Sequence, residues 1–202
     1  MAMEQRTPEE KMSSSAEIYK KSDKLHLGCG KRFIPGFIHV DALSFPHVDY
    51  QGPVDKLDWI PDGSLSLIYA SHLLEHFGRW EVDAVLSEWF RVLKPGGVLR
   101  LAVPDFGASA SLYVSGKLQR GLLDVTGLIC GGQRDQYDYH KMIFDEEDLA
   151  NRLLKVGFAH VRHWDWKTTE HAGVDDYSQA YLPHLDKDNG TLVSLNLEGV
   201  KE

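Results

Sequence analysis

Cysteine is nearly missing from this 202-residue chain, which carries only Cys29 and Cys130. Two widely separated thiols make neither a disulfide framework nor a C-x-x-C pair for zinc. Also missing is any apolar run of the ~18 residues that a membrane span needs. Residues 1–23 are polar and lack the apolar core of a secretory signal, so the sequence reads as cytoplasmic. An excess of positive charge is absent too. The formal net charge is -8, which argues against a duplex nucleic-acid partner, whose phosphates demand clustered Lys and Arg. The acidity reads as a contribution to solubility. Repeats and long linkers are lacking as well.

What remains is an ordinary globular balance, 43% hydrophobic and 26% charged, of a size that suits one core. Residues 1–22 read as a flexible N-terminal arm, with a short helix over Ala16 to Lys21, and 23–202 as a single domain. Lys24–Gly28 and Phe37–Val40 read as strands, and Leu65–Ala70 is a near-continuous apolar run of the kind buried on both faces. Trp80–Leu93 has helical spacing, and Lys94-Pro95-Gly96-Gly97 stops it. Val98–Val103 is the next strand. Asp145 caps a second helix that Gly157 ends, and Phe158–Trp166 and Leu192–Val200 close the chain as strands. Strands alternating with helices predict an α/β fold with a mostly parallel sheet, whose late loop-joined strands pair antiparallel. Two stretches, 107–140 and 167–191, are too long for plain connections and predict insertions near a substrate site.

Leu27-Gly28-Cys29-Gly30 follows the first strand. Glycine there lets the backbone turn tightly and approach a ligand, and open α/β sheets bind ligands beyond the carboxyl ends of their strands. Alone the pair of glycines means little more than a tight turn. Asp41, at the end of the second strand, adds an acid that can accept hydrogen bonds from both ribose hydroxyls of a nucleoside cofactor. A dinucleotide fingerprint is excluded, because it needs G-x-G-x-x-G opening a full helix and an acid about 20 residues on.

The runs KLHLGCGKRFIPGFIHVDA, IPDGSLSLIYASHLLEH and EWFRVLKPGGVLRLAVPD, with the ending SLNLEGVK, resemble the class I S-adenosylmethionine-dependent methyltransferases. More narrowly, they resemble a small group of predicted methyltransferases of the type 11 kind. The resemblance spans roughly residues 24 to 200 and rests on the order and spacing of several motifs. It implies a three-layer Rossmann-like fold with a seven-stranded sheet and an antiparallel last strand. It implies S-adenosylmethionine as cofactor and S-adenosylhomocysteine as product. Gly28, Cys29 and Gly30 match the loop under the methionine and ribose parts, and Asp41 matches the ribose-binding acid. Asp55, Lys56 and Leu57 match the segment bordering adenine, and Ser71 and His72 match the strand end beside methionine. The chain departs from the pattern at His26, where an acid is usual, and at Arg32, where a third glycine is usual. Ten residues separate Gly30 from Asp41, fewer than the dozen or more of a parallel crossover, so the first helix is expected to shrink to about one turn.

His72-Leu73-Leu74-Glu75-His76 fits the H-x-x-E-H pattern of inverted zinc proteases. It follows a buried strand directly, so Glu75 and His76 read as helix-start capping and packing, and no metal is expected. Because the cofactor is already activated, the protein mainly positions the acceptor. An oxygen acceptor also needs a base. The candidates, in order, are His140, His171 and Asp105. Tyr137, Tyr139, Tyr177, Trp164 and Trp166 offer rings to stack, and Asp175, Asp176, Asp186 and Asp188 offer negative charge to a cationic acceptor. The expected activity is methylation of a small molecule or sugar, at oxygen. The alternatives are a protein or RNA methyltransferase and a non-catalytic cofactor-binding module.

Overall fold

The computed structural model describes residues 17–202. Most of the expected arm, and the first residue of its helix, lie outside them. Within them, Ile18 and Tyr19 already pack against the core and Lys21 pairs with Asp49 at 2.9 Å, so the domain starts before residue 23.

Seven strands form one sheet in the order β3-β2-β1-β4-β5-β9-β6. They are β1 Lys24–Leu27, β2 Ile38–Asp41, β3 Tyr50–Gln51, β4 Leu65–Ser71, β5 Leu93–Pro104, β6 Phe158–His163 and β9 Ser194–Lys201. The pairs among β1 to β5 are parallel, while β9 runs antiparallel to both β5 and β6. Two short strands, β7 Tyr181–Leu182 and β8 Thr191–Leu192, pair antiparallel inside the second long insertion. The helices are α1 Val82–Val92, α2 Phe106–Val114, α3 Leu123–Cys130 and α4 Glu146–Val156. Among the described residues, no helix is long and apolar enough to cross a membrane.

Strand alternation sorts the sheet into two unlike faces. Leu25, Leu27, Val40, Ile68, Leu99 and Leu101 point one way, into an aliphatic core against α1 and α4. Trp89 of α1 is fully buried there, and its indole N–H donates to the Val54 carbonyl at 2.8 Å. The cap of α4 is the expected one: Asp145 accepts from the Asp148 N–H at 2.9 Å, and Gly157 takes φ +116° at its end. The neighbours His26, His39, Tyr69 and Arg100 point the other way. No helix stands between β1 and β2. The link is two turns, closed by Arg32 N–H to the Cys29 carbonyl at 3.0 Å and Phe37 N–H to the Ile34 carbonyl at 3.3 Å. The shrinkage expected of the first helix has gone to completion. Ile34, Phe37 and Trp164 cover that face instead, so the third layer is made of turns and loops.

Two local expectations are corrected. Lys94–Gly97 does not merely stop α1, because the chain is extended by Leu93: Leu65 pairs with Leu93 and Leu67 with Val98, and the segment between loops out as a bulge within β5. The strand expected over Phe158–Trp166 ends at His163; Trp164 turns inward and donates its indole N–H to the Leu101 carbonyl at 2.8 Å. The first insertion carries α2 and α3.

Candidate functional site

The site is assembled where β1, β2 and β4 end. Gly28 and Gly30 take φ +59° and +53°, the left-handed region open to glycine at little cost. A Cβ on Gly28 would stand 2.7 Å from a Leu73 methyl, whereas one on Gly30 would meet nothing within 4 Å. Leu73 thus presses on the first glycine, and space opens beside the second. The Gly30 N–H donates to Asp41 Oδ2 at 2.7 Å and the Leu43 N–H to Oδ1 at 2.8 Å. Asp41 therefore ties the glycine loop to the end of β2 and keeps lone pairs to spare. Gly28, Gly30, Asp41, Asp55 and His72 all line one cleft of about 670 Å³, within the range of small-molecule sites. Leu43, Phe45, Val54 and Phe77 give it apolar walls, and the segment Arg134–Tyr139 closes the far side.

A second cavity of about 510 Å³ adjoins the first. Arg32, His140, Asp175, Asp176 and Tyr177 line it. Arg32 stands where a third glycine was expected, and its guanidinium lies 5.0 Å from the centre of the Tyr177 ring. His72, His76, Arg134 and Asp138 line both cavities, so they form the partition between them.

That partition is built on β4 and the single 3-10 turn Leu74–His76. His72 directly follows β4 in left-handed backbone at φ +48°, a strained setting for a residue with a Cβ. Burial, reinforced by the neighbouring imidazoles, pushes its pKa down to about 3. Glu75 is fully buried, and burial raises its carboxyl to about 8. Among the described residues, neither Glu75 carboxylate oxygen has a hydrogen-bond partner. Its backbone carbonyl accepts from the Lys141 and Met142 N–H groups at 2.8 and 3.1 Å, which brings His140 over the turn. Glu75 and His76 therefore do not cap a helix, as their position after the strand had suggested.

The other expected site residues divide clearly. Cys29 does not line the cleft; its thiol is buried, and burial together with the Asp41 carboxylate pushes it up to about 12. Lys56 is exposed outside the cleft, and the Leu57 N–H is taken by Glu88 at 2.7 Å. Ser71 lies behind His72 and does not line the cleft. Asp105 caps α2, accepting from the Ala108 N–H at 2.8 Å, and borders a separate cavity beside Trp164. His171 is buried on the second face of the sheet, its ring centre 4.1 Å from that of Tyr69. His26 is there too, packed against Tyr69 and His39, so it does not reach the cleft. Of the rings, Tyr137 and Tyr139 line the cleft and Tyr177 the second cavity, while Trp164 is packing. Of the late acids, Asp175 and Asp176 line the second cavity; Asp186 and Asp188 do not. Sequence reasoning missed Leu43, Phe45, Arg134 and Asp138 as lining residues. Leu43 and Phe45, two and four residues after Asp41, were a usable signal for the first pair.

The family model described as a methyltransferase domain matches residues 35–101. A ubiquinone/menaquinone biosynthesis C-methyltransferase, UbiE, of Cereibacter sphaeroides is 32% identical over 123 residues, 54% of this chain and 48% of that protein. The chain thus spans about half the length of the curated relative it matches. Among solved structures, a SAM-dependent methyltransferase from Archaeoglobus fulgidus superposes with a TM-score of 0.54 at 16% identity, over 95% of this chain and 91% of that one. The 1,6-didemethyltoxoflavin-N1-methyltransferase of Burkholderia thailandensis, solved with bound 1,6-didemethyltoxoflavin and S-adenosylhomocysteine, gives 0.53 at 14% identity, over 94% of this chain and 76% of that one.

Proposed function

We propose that this chain is a class I S-adenosylmethionine-dependent methyltransferase, a reading supported by its match to a methyltransferase-domain model over residues 35–101 and by its likeness to UbiE, and that it methylates a small hydroxylated molecule or sugar at oxygen. In this reading the cofactor occupies the 670 Å³ cleft and the acceptor the 510 Å³ cavity. The observation that carries it is the convergence of Gly28, Gly30, Asp41 and Asp55 on one cleft that shares a wall with a second cavity. When bound, S-adenosylmethionine supplies a methyl group already activated on a sulfonium. Asp41 accepts from the ribose hydroxyls with the lone pairs its two backbone donors leave free. Gly28 and Gly30 let the main chain lie against the ligand. Phe45 and Phe77 exclude water from it. The acceptor proton must leave at the shared wall, where His72, His76 and His140 gather round Glu75. His171 and Asp105 line neither cavity and are given no part in this reading.

The test is a screen of sugars, phenols and other hydroxylated small molecules with a methyl-labelled cofactor. Label in an oxygen-methylated product, lost in Asp41→Ala, is the expected result. Tight cofactor binding without transfer to any of them would leave a binding module and overturn the enzymatic reading.

A further inference from the structure

Glu75, His76 and His140 each offer a ligand atom, and these atoms all lie within 4.8 Å of one another. The orientation of each group is fixed from outside. The His140 Nδ1–H donates to the Leu128 carbonyl at 2.9 Å, and the His76 Nδ1–H donates to the Tyr139 carbonyl at 3.0 Å. Both bonds set the tautomer, because a carbonyl only accepts. Each ring therefore keeps its Nε2 lone pair free, and that of His140 stands 3.8 Å from Glu75 Oε1. A ligating imidazole needs this arrangement: one nitrogen anchored by a backbone carbonyl, the other left to the metal.

His72 repeats the pattern with its nitrogens exchanged. The Ser194 hydroxyl donates to Asn196 Oδ1 at 2.9 Å, so it accepts from the His72 Nε2–H at 3.2 Å. The His72 Nδ1 lone pair then faces Glu75 Oε1 at 3.5 Å. The His72 and His140 lone pairs are thus turned towards a fully buried carboxyl whose oxygens have no hydrogen-bond partner among the described residues, with a His76 ring nitrogen within 4.8 Å of the Glu75 and His140 ligand atoms. A single proton on Glu75 can serve only one of these facing lone pairs, whereas a cation placed among them meets all of them.

We propose that Glu75, His76 and His140 bind a divalent cation of the zinc type, with His72 beside them as a further nitrogen. Two imidazoles and a carboxylate are a donor set that suits zinc and leaves positions open for an exchangeable ligand. The H-x-x-E-H run supplies Glu75 and His76 from one turn. The third ligand, His140, comes from the far end of the first insertion, through the bonds that Lys141 and Met142 make to the Glu75 carbonyl. The site lies on the partition, where His76 lines both cavities and His140 the second.

The catalytic role of the ion rests on the function proposed above; its binding does not. An acceptor hydroxyl coordinated through oxygen loses its proton to water more readily. The oxygen lone pair then forms the bond to the methyl carbon, and the carbon–sulfur bond breaks with its electron pair going to sulfur. The products are the methyl ether and S-adenosylhomocysteine. The acceptor class is a hydroxyl compound able to reach the ion from the second cavity.

The full-length protein is stripped with chelator, then titrated with Zn²⁺ alone and with Co²⁺ alone, without cofactor. Bound metal is counted by elemental analysis, and cobalt binding is followed by its visible absorption. The expected result is one equivalent of metal, a rise in melting temperature on loading, and affinity lower in His140→Asn and His76→Asn by at least the ~10–100-fold that loss of an outer-shell partner costs. His140→Asn keeps an N–H for the Leu128 carbonyl, so it tests ligation apart from folding. A wild-type protein that retains no stoichiometric metal at micromolar Zn²⁺ overturns the proposal, as does undiminished binding in both variants. Calorimetry with S-adenosylhomocysteine separates the two claims. Metal bound without nucleoside binding sustains this site and sinks the enzymatic reading, and nucleoside bound without metal does the reverse.

Discussion

The two faces of the central sheet obey different chemistry. One is aliphatic and lies under α1 and α4. The other carries His26, His39 and Tyr69, with Arg100 bound to Glu170 and Glu198, under turns and loops. The first face is held by area removed from water and by packing. The second is held by specific pairs: the Tyr69 hydroxyl donates to Asp176 Oδ2 at 2.5 Å, and His171 stacks on the same ring. With the first helix missing, polar and aromatic groups from distant segments close the sheet. The same late loop then runs on to line the second cavity through Asp175, Asp176 and Tyr177. The polar face therefore links core stability to the second cavity.

The comparison breaks first on the aliphatic side. Trp89→Ala should cost about 3–5 kcal/mol in urea unfolding, because a fully buried ring and its hydrogen bond to Val54 are both lost. A loss below about 1 kcal/mol would deny that this face carries the fold. On the other side, Tyr69→Phe should cost about 1–3 kcal/mol by leaving Asp176 short of a donor. It should also loosen the loop that lines the second cavity, seen as faster proteolysis near Tyr177.

The smallest expected effect is the second face's share of the pH dependence. Burial lowers the pKa of His26, His39 and His171, with neighbouring imidazoles adding to the effect at His26 and the Arg100 charge at His171; Asp49 partly offsets it at His39. Each is uncharged when folded and takes a proton more readily when unfolded. Their share of stability is complete above the ordinary imidazole value of 6.5 and drains away as pH falls towards the lowered folded values. The urea midpoint should fall from pH 7 to pH 5, and His26→Phe should flatten that fall. An unchanged slope in His26→Phe would remove His26 from the titration.

Much of this was legible in the sequence, and unevenly. The aliphatic face shows itself through period: alternation in Lys24–Gly28, an apolar run in Leu65–Ala70, and helical spacing around Trp89. The cleft was readable at Gly28, Gly30, Asp41 and Asp55, because a tight turn and a strand-end acid are local features. The second face was not. Nothing local says that His171 fills the space of an absent helix, or that Ser194 sets the tautomer of His72. Lys56 and Leu57 failed for a similar reason, since Glu88 of α1 claims the Leu57 amide from a distant part of the chain. The H-x-x-E-H run was visible but unreadable alone, because its third partner, His140, arrives through tertiary structure.

The central claim is that the cleft at Gly28, Gly30 and Asp41 holds S-adenosylmethionine. Titration calorimetry of the full chain with S-adenosylhomocysteine, beside Asp41→Ala, tests it most directly. Binding at one site, weakened about tenfold or more in Asp41→Ala through loss of charge-assisted hydrogen bonds to the ribose, is the predicted result. No heat of binding at millimolar ligand, or equal affinity in the variant, would contradict it.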